Sequence, residues 1–285
     1  MKKFYVLILG AVLGLTAHAQ DDWRLDSTYV ENDNGVRSQK NVFEYDSNKQ
    51  LAVEYETDYS EGKVYKYVYS YDDNGRVNLM RIIVDDSVIQ EIEVTEYDAA
   101  TGLPKVYKIK TSDNSGQGLS LYGKYEMTYY EDRTEQALYQ WTGLSYELYY
   151  TTIFYYDNFG LLAYELVKLL YEGETYDYSI TAYEYDNYGN KTKEEYKDLY
   201  GNETITNYEN TYDENGNLKK IRETSEGVPA SNEFYFWSKF SSAAINGLKA
   251  NTAITDWFDL NGRHLNGKPT KKGLFIQNGQ KIMIK

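Results

Sequence analysis

Hydrophobic and aromatic positions alternate along much of this chain with a period of two. Tyr65, Tyr67, Tyr69 and Tyr71 occupy every second position, with Val64, Lys66, Val68 and Ser70 between them. Successive side chains of a strand point to opposite faces, so this stretch predicts a strand with a tyrosine row on one face. Tyr146, Leu148, Tyr150, Phe154 and Tyr156 are expected to share a face in a later strand. Elsewhere the alternation is mixed: Thr204, Thr206 and Tyr208 stand opposite Ile205 and Glu209. Mixed faces suit a sheet that is half covered or wet on both sides.

The strands are punctuated by a recurring phrase, Tyr-Asp followed by a turn and often a glycine. It occurs at Tyr45-Asp46, Tyr71-Asp72 with Gly75, Tyr97-Asp98, Tyr156-Asp157 with Gly160, Tyr185-Asp186 with Gly189, and Tyr212-Asp213 with Gly216, with a degenerate copy at Tyr130-Glu131. Its tyrosines are spaced by 26, 26, 33, 26, 29 and 27 residues. A second turn falls within most periods, for example at Ser60-Glu61-Gly62, Glu172-Gly173 and Glu226-Gly227. Asp accepts hydrogen bonds from the backbone two residues on, and Gly takes the positive φ that a tight hairpin needs, so Asp46, Asp72, Asp98, Asp157, Asp186 and Asp213 are read as turn residues. One period is therefore strand, turn, strand, turn. The predicted fold is all-β: an extended, twisted antiparallel sheet of tandem hairpin repeats, roughly sixteen strands in all, followed by a small C-terminal β-unit.

Composition explains what packs these strands. Tyrosine numbers 33 and proline three, which favours long ladders and leaves aliphatic side chains sparse. There is no cysteine, so neither disulfides nor a lipid-modified cysteine contribute. Residues 1–19 have the plan of a secretory signal peptide: Lys2 and Lys3, an apolar run from Phe4 to Leu15, and Ala17-His18-Ala19 as a cleavage site. Export is expected, to the cell surface or extracellular space, or alternatively the periplasm. Forty-four acids against 30 bases exclude nucleic acid as a partner, because that contact needs a basic footprint. Residues 241–285 invert the balance with seven bases and two acids. This contrast divides the mature chain into a tyrosine-rich repeat domain (20–240), a small-residue linker (241–253) and a β-unit (254–285).

The repeated phrase resembles the YD repeats of RHS-type surface proteins, with the better matches at Asp72 to Gly75, Asp157 to Gly160, Asp186 to Gly189 and Asp213 to Gly216. The ending resembles the sorting domains of the type IX secretion system of Bacteroidota, through Asp259-Leu260-Asn261-Gly262-Arg263, Gly273-Leu274-Phe275-Ile276 and the basic final strand. These resemblances imply a surface-exposed repeat architecture and the type IX machinery as a partner.

Little chemistry is visible. His264 is the one histidine left after the signal, the nucleotide-binding glycine motifs are missing, and no two carboxylates stand out by spacing. The acid-rich turns at Asp72-Asp73-Asn74 and Asp213-Glu214-Asn215 do not fit the EF-hand loop. No catalytic residue, metal or cofactor is therefore expected. The reading is a non-catalytic structural, adhesive or ligand-binding protein of the bacterial envelope, with an envelope protein or a glycan as partner. The alternatives are a carbohydrate-active enzyme using two carboxylates, and an accessory partner of a larger repeat protein. Tyrosine offers a flat face and a hydroxyl for sugars or interfaces, which makes Tyr65, Tyr67, Tyr69, Tyr149, Tyr150 and Tyr155 the candidate binding residues. Mass spectrometry of the exported protein is expected to find Gln20 at the mature N-terminus; retention of residues 1–19 would overturn the signal-peptide assignment.

Overall fold

The computed structural model describes residues 23–112, 118–240, 257–258, 264–265, 268–271, 273–277 and 280–284. The signal segment, the linker and the Asp259-to-Arg263 phrase lie outside the described residues. Sixteen strands follow one another as hairpins: β1 (Trp23–Asn32), β2 (Arg37–Tyr45), β3 (Leu51–Asp58), β4 (Lys63–Tyr71), β5 (Val77–Val84), β6 (Ser87–Tyr97), β7 (Pro104–Ser112) and β8 (Leu119–Tyr129). The second half is β9 (Arg133–Trp141), β10 (Tyr146–Tyr156), β11 (Leu162–Tyr171), β12 (Glu174–Tyr185), β13 (Lys191–Asp198), β14 (Glu203–Tyr212), β15 (Leu218–Ser225) and β16 (Val228–Lys239). Each pairs antiparallel with its sequence neighbours, and β16 returns to β1, so the sheet is a closed barrel. A separate four-stranded sheet, in the order β18-β17-β19-β20, is made by β17 (Trp257–Phe258), β18 (His264–Leu265), β19 (Gly273–Gln277) and β20 (Gln280–Ile284). By compactness the chain forms two units, residues 26–156 with 162–236, and residues 1–25, 157–161 and 237–285.

Closure corrects the expected extended sheet and, with it, the likeness to an open YD-repeat array of the RHS type. The all-β character stands. The physical cause lies in the recurring turns. The ladder slips just before the tyrosine that opens each one, between Glu44 and Tyr45, Ser70 and Tyr71, Tyr155 and Tyr156, Glu184 and Tyr185, and Thr211 and Tyr212. Such a bulge bends its strand and increases the local twist. Such bulges, recurring around the sheet, curl it until its two edges meet, and pairing those edges satisfies backbone groups that an open sheet would leave bare.

The turns share one geometry. In the Asp72 loop, Oδ1 accepts the backbone N–H groups of Asn74 and Arg76, both at 2.9 Å, while the Asp72 N–H donates to the Arg76 carbonyl at 2.8 Å. Asp46, Asp157, Asp186 and Asp213 repeat this pattern with the residues two and four positions on. The fourth loop residue is left-handed. It is Gly75 at φ 74°, Gly160 at 78°, Gly189 at 77° and Gly216 at 81°, but Lys49 at 64° in the Asp46 loop. In the Asp98 loop Gly102 comes one residue later and the Asp98 N–H reaches Leu103.

The tyrosine before the aspartate ties each hairpin to the previous one. The hydroxyl of Tyr71 donates to the Leu51 carbonyl at 2.6 Å, that of Tyr97 to Val77 at 3.0 Å, and that of Tyr129 to Pro104. The Tyr212 hydroxyl bonds to Asp186 itself. These bonds correct the reading of the degenerate repeat. Tyr129 is the linking tyrosine, and Tyr130 stands in the aspartate position of a loop one residue shorter, its N–H reaching the Arg133 carbonyl at 2.9 Å.

Two substitutions of opposite sign follow from the left-handed position. A side chain there costs about 1–2 kcal/mol relative to glycine. Gly75→Ala meets that strain and the Gln50 side chain 3.2 Å from the new Cβ, and is expected to destabilise by roughly 1 kcal/mol or more in urea unfolding. Lys49→Gly is expected to stabilise by a few tenths to about 1 kcal/mol. Equal effects of the same sign would contradict this account of the loop.

Candidate functional site

Register assigns each residue to one of the two faces of the barrel wall, and burial shows which face is inside. Glu54, Tyr67, Ile82, Gln90 and Thr111 lie opposite one another across β3 to β7. Tyr67 in this row is 1% exposed, and Tyr65, Tyr69, Met80, Ile82, Ile92, Tyr107, Ile109, Tyr125 and Leu138 on the same face are all buried. That face is the lumen. Its packing is strongest from β4 to β9 and becomes more polar beyond, where the buried residues include Thr152, Ser179 and Thr181.

The tyrosine row of β4 therefore offers no stacking face to solvent. Its hydroxyls are used internally: Tyr65 donates to Glu61 at 2.8 Å, Tyr67 to Glu56 at 2.7 Å and Tyr69 to Glu54 at 3.2 Å. The other proposed binding tyrosines are scattered. Tyr149 is the extra residue of a bulge in β10, exposed, with its ring edge-on to Tyr150 at 5.7 Å. The bulge splits the face expected for β10, placing Leu148 opposite Tyr139 on the outside and Tyr150 opposite Leu138 on the inside. Tyr150 reaches the Tyr125 hydroxyl at 3.1 Å, whereas Tyr155 points outward and stacks on Tyr164 at 4.4 Å. The structure does not gather these six tyrosines into one surface.

The lumen carboxyls are electrostatically unusual. Burial pushes Glu54 up to about 7; the Tyr69 hydroxyl bond works against this and the charge of Glu56 adds to it. Burial also raises Glu165 and Glu233, each further raised by a second acid, Glu194 and Glu223 respectively. Lumen polar atoms without a protein partner include Asn78 Oδ1, Gln90 Oε1 and Asn210 Oδ1. Among the described residues no three His, Cys, Asp or Glu side chains converge as a metal site.

The outward face carries charge in the middle of its strands. Glu91 on β6 receives Arg81 of β5 at 2.9 Å and Lys110 of β7 at 2.8 Å, and Lys110 also approaches Glu93 at 3.7 Å. These cations hold Glu91 below the usual carboxylate range. Lys193 on β13 bridges Glu184 of β12, at 3.5 Å, and Glu195.

Large exposed side chains concentrate at the rim opposite the aspartate turns. Val36, Tyr59, Leu144, Tyr171, Tyr200 and Val228 all lie there, with Leu144 at 93% and Tyr200 at 74%. This rim holds a cavity of about 340 Å³ lined by Asn32, Val36, Arg37, Ser38, Tyr59, Ser60, Pro229, Ala230 and Ser231. The β1–β2 turn, the β3–β4 turn and the start of β16 form its walls. Sequence reading missed it because its residues come from opposite ends of the repeat region.

No family model matches this chain, and no curated protein matches it. Among solved structures it is similar to a porin-like protein from Bacteroides vulgatus, with 10% identity and a TM-score of 0.49 over 75% of this chain and 98% of that one. A porin-like protein from Bacteroides uniformis aligns over the same shares with 11% identity and a TM-score of 0.25. A protein of unknown function from Bacteroides fragilis covers 41% of this chain and 91% of its own, with 14% identity and a TM-score of 0.36.

The lumen carboxyls set a pH dependence. Glu54 binds a proton more tightly folded than unfolded, so its ionisation costs stability as pH rises from about 4.5 to about 7. Over that window the loss is on the order of 3 kcal/mol. Glu54→Gln keeps an acceptor for Tyr69 and is expected to be the more stable protein at pH 8, with no advantage at pH 4. A wild-type protein more stable than the variant at pH 8 would refute the assignment.

Proposed function

We propose that the chain is an exported, water-soluble β-barrel of the bacterial envelope with a non-catalytic, ligand-binding or structural role. The observation that carries this reading is the charge on the outward face. A barrel that crosses a bilayer presents an outward apolar band about 25 Å tall, and each Lys or Arg at the midplane costs about 2–4 kcal/mol. Here the outward positions of β5, β6, β7 and β13 hold Arg81, Glu91, Lys110, Lys193 and Glu195 in ion pairs, while apolar and tyrosine side chains pack the lumen from β4 to β9. That polarity supports a water-soluble barrel. An envelope location is compatible with the export signal read in residues 1–19.

A role without catalysis is supported by the use of the lumen acids. Glu54 and Glu56 each accept a tyrosine hydroxyl, so both lumen acids have a structural use in holding the β4 tyrosines, whereas two-carboxylate hydrolysis requires acids that face water and a sugar ring. Binding is better supported at the rim, where exposed apolar side chains and a cavity coincide.

The test is phase partitioning and bilayer recording with the mature chain. It is expected to remain monodisperse in detergent-free buffer, to stay in the aqueous phase with a cloud-point detergent, and to produce no conductance steps in planar bilayers. A need for detergent, or stepwise conductance, would overturn the proposal.

A further inference from the structure

The rim cavity is bordered by a cation, Arg37, that forms no ion pair among the described residues. Among the described residues Arg37 has no carboxylate within ion-pair distance, although the chain carries 44 acids. Glu31 stands opposite it in the β1–β2 register without pairing to it. Asp33, the acid of the same turn, is taken by Arg222 at 3.0 Å and by the Asn232 amide at 3.1 Å. The Arg37 guanidinium lies instead over the Tyr29 ring, 4.4 Å from its centroid, and Tyr29 stacks on Phe234 at 4.7 Å and Phe236 at 5.6 Å. Stacking fixes the plane of the guanidinium while leaving its fork of N–H donors free.

The cavity walls are tied together before any ligand arrives. The Tyr59 N–H donates to the Ser38 carbonyl at 3.0 Å, which joins the β3–β4 and β1–β2 turns. The two bonds of Asp33 join the β1–β2 turn to β15 and β16. A preorganised site loses less entropy on binding. Its volume of about 340 Å³ is at the small end of ligand pockets, roughly 300–1,000 Å³. The lining residues include the apolar Val36 and Pro229, the aromatic Tyr59, and three hydroxyl-bearing residues, Ser38, Ser60 and Ser231, of which Ser38 donates weakly to the Val30 carbonyl at 3.5 Å. Ser60 donates its proton to Asp58 at 2.6 Å, so its oxygen is turned towards accepting.

We infer that this cavity binds a monosaccharide-sized acid, its carboxylate on the Arg37 guanidinium and its hydroxyls among Ser38, Ser60 and Ser231. A charged guanidinium pairs with a carboxylate through two parallel hydrogen bonds. A neutral sugar gains no such pair, and the surrounding negative charge would otherwise repel an acid. Arg37 therefore sets both affinity and selectivity. The inference rests on the reading of a water-soluble barrel with an exposed rim.

The test is calorimetry and saturation-transfer NMR on the full mature chain, with D-glucuronate and D-glucose as probes. Wild type is expected to bind glucuronate, and glucose at least tenfold more weakly. Arg37→Gln is expected to weaken glucuronate at least tenfold, whereas Arg133→Gln at the opposite rim leaves it unchanged. Absence of glucuronate binding, equal binding of glucose, or an unchanged affinity in Arg37→Gln would overturn the inference. A detergent-independent, non-conducting barrel that ignores glucuronate would remove this site and leave the soluble-barrel reading intact.

Discussion

The rest of the structure depends on the aspartate carboxylate that opens six of the seven hairpin loops at one end of the barrel. A five-residue loop exposes backbone N–H groups that the ladder cannot satisfy, and one carboxylate oxygen takes two of them. This fixes where the strand ends and where the next begins. It also fixes the bulge at Asn78 just after the loop, opposite the tyrosine that reaches the neighbouring hairpin. Loop, bulge and tyrosine bond act together: the loop sets register, the bulge sets curvature, and the hydroxyl fastens one period to the next. The polarity of the two faces follows from register, because a slip of one residue would put Lys66 and Arg81 in the lumen and Tyr67 in water.

Much of this was legible in the sequence because it is local. The aspartate and glycine positions, the strand lengths and the tyrosine face of β4 all follow from spacing within about ten residues. Which way that face points does not. Alternation divides residues into two sets and leaves open which set is covered, so a buried tyrosine row reads the same as an exposed one. The β10 face was misread for a related reason, since the extra residue Tyr149 reverses the parity of everything beyond it. Closure and the rim cavity depend on pairs such as Asp33 with Arg222 and Tyr29 with Phe234, which no window along the chain contains.

The lumen and the rim divide two demands between them. Tyrosine packs the interior with few aliphatic side chains, and its hydroxyls need acceptors once buried. Glutamates such as Glu54 and Glu56 supply them, at the cost of holding carboxyls where burial and like charge oppose ionisation. The rim keeps its polar groups near water and organises a guanidinium on an aromatic column. The packed wall and the open rim thus meet different demands on the same set of polar side chains.

Closure has a kinetic consequence. Fifteen of the sixteen strand pairings join neighbours in sequence, and only β1 with β16 joins the two ends. The short-range pairings can form in any order as hairpins, quickly and with little entropy to overcome. The seam must instead bring together segments about 200 residues apart, and the entropy of that encounter falls as the intervening hairpins become rigid and curved. A chain whose bulged hairpins bend its wall in the same direction carries its own ends towards each other, so the longest-range contact in the barrel is prepared by the shortest-range ones.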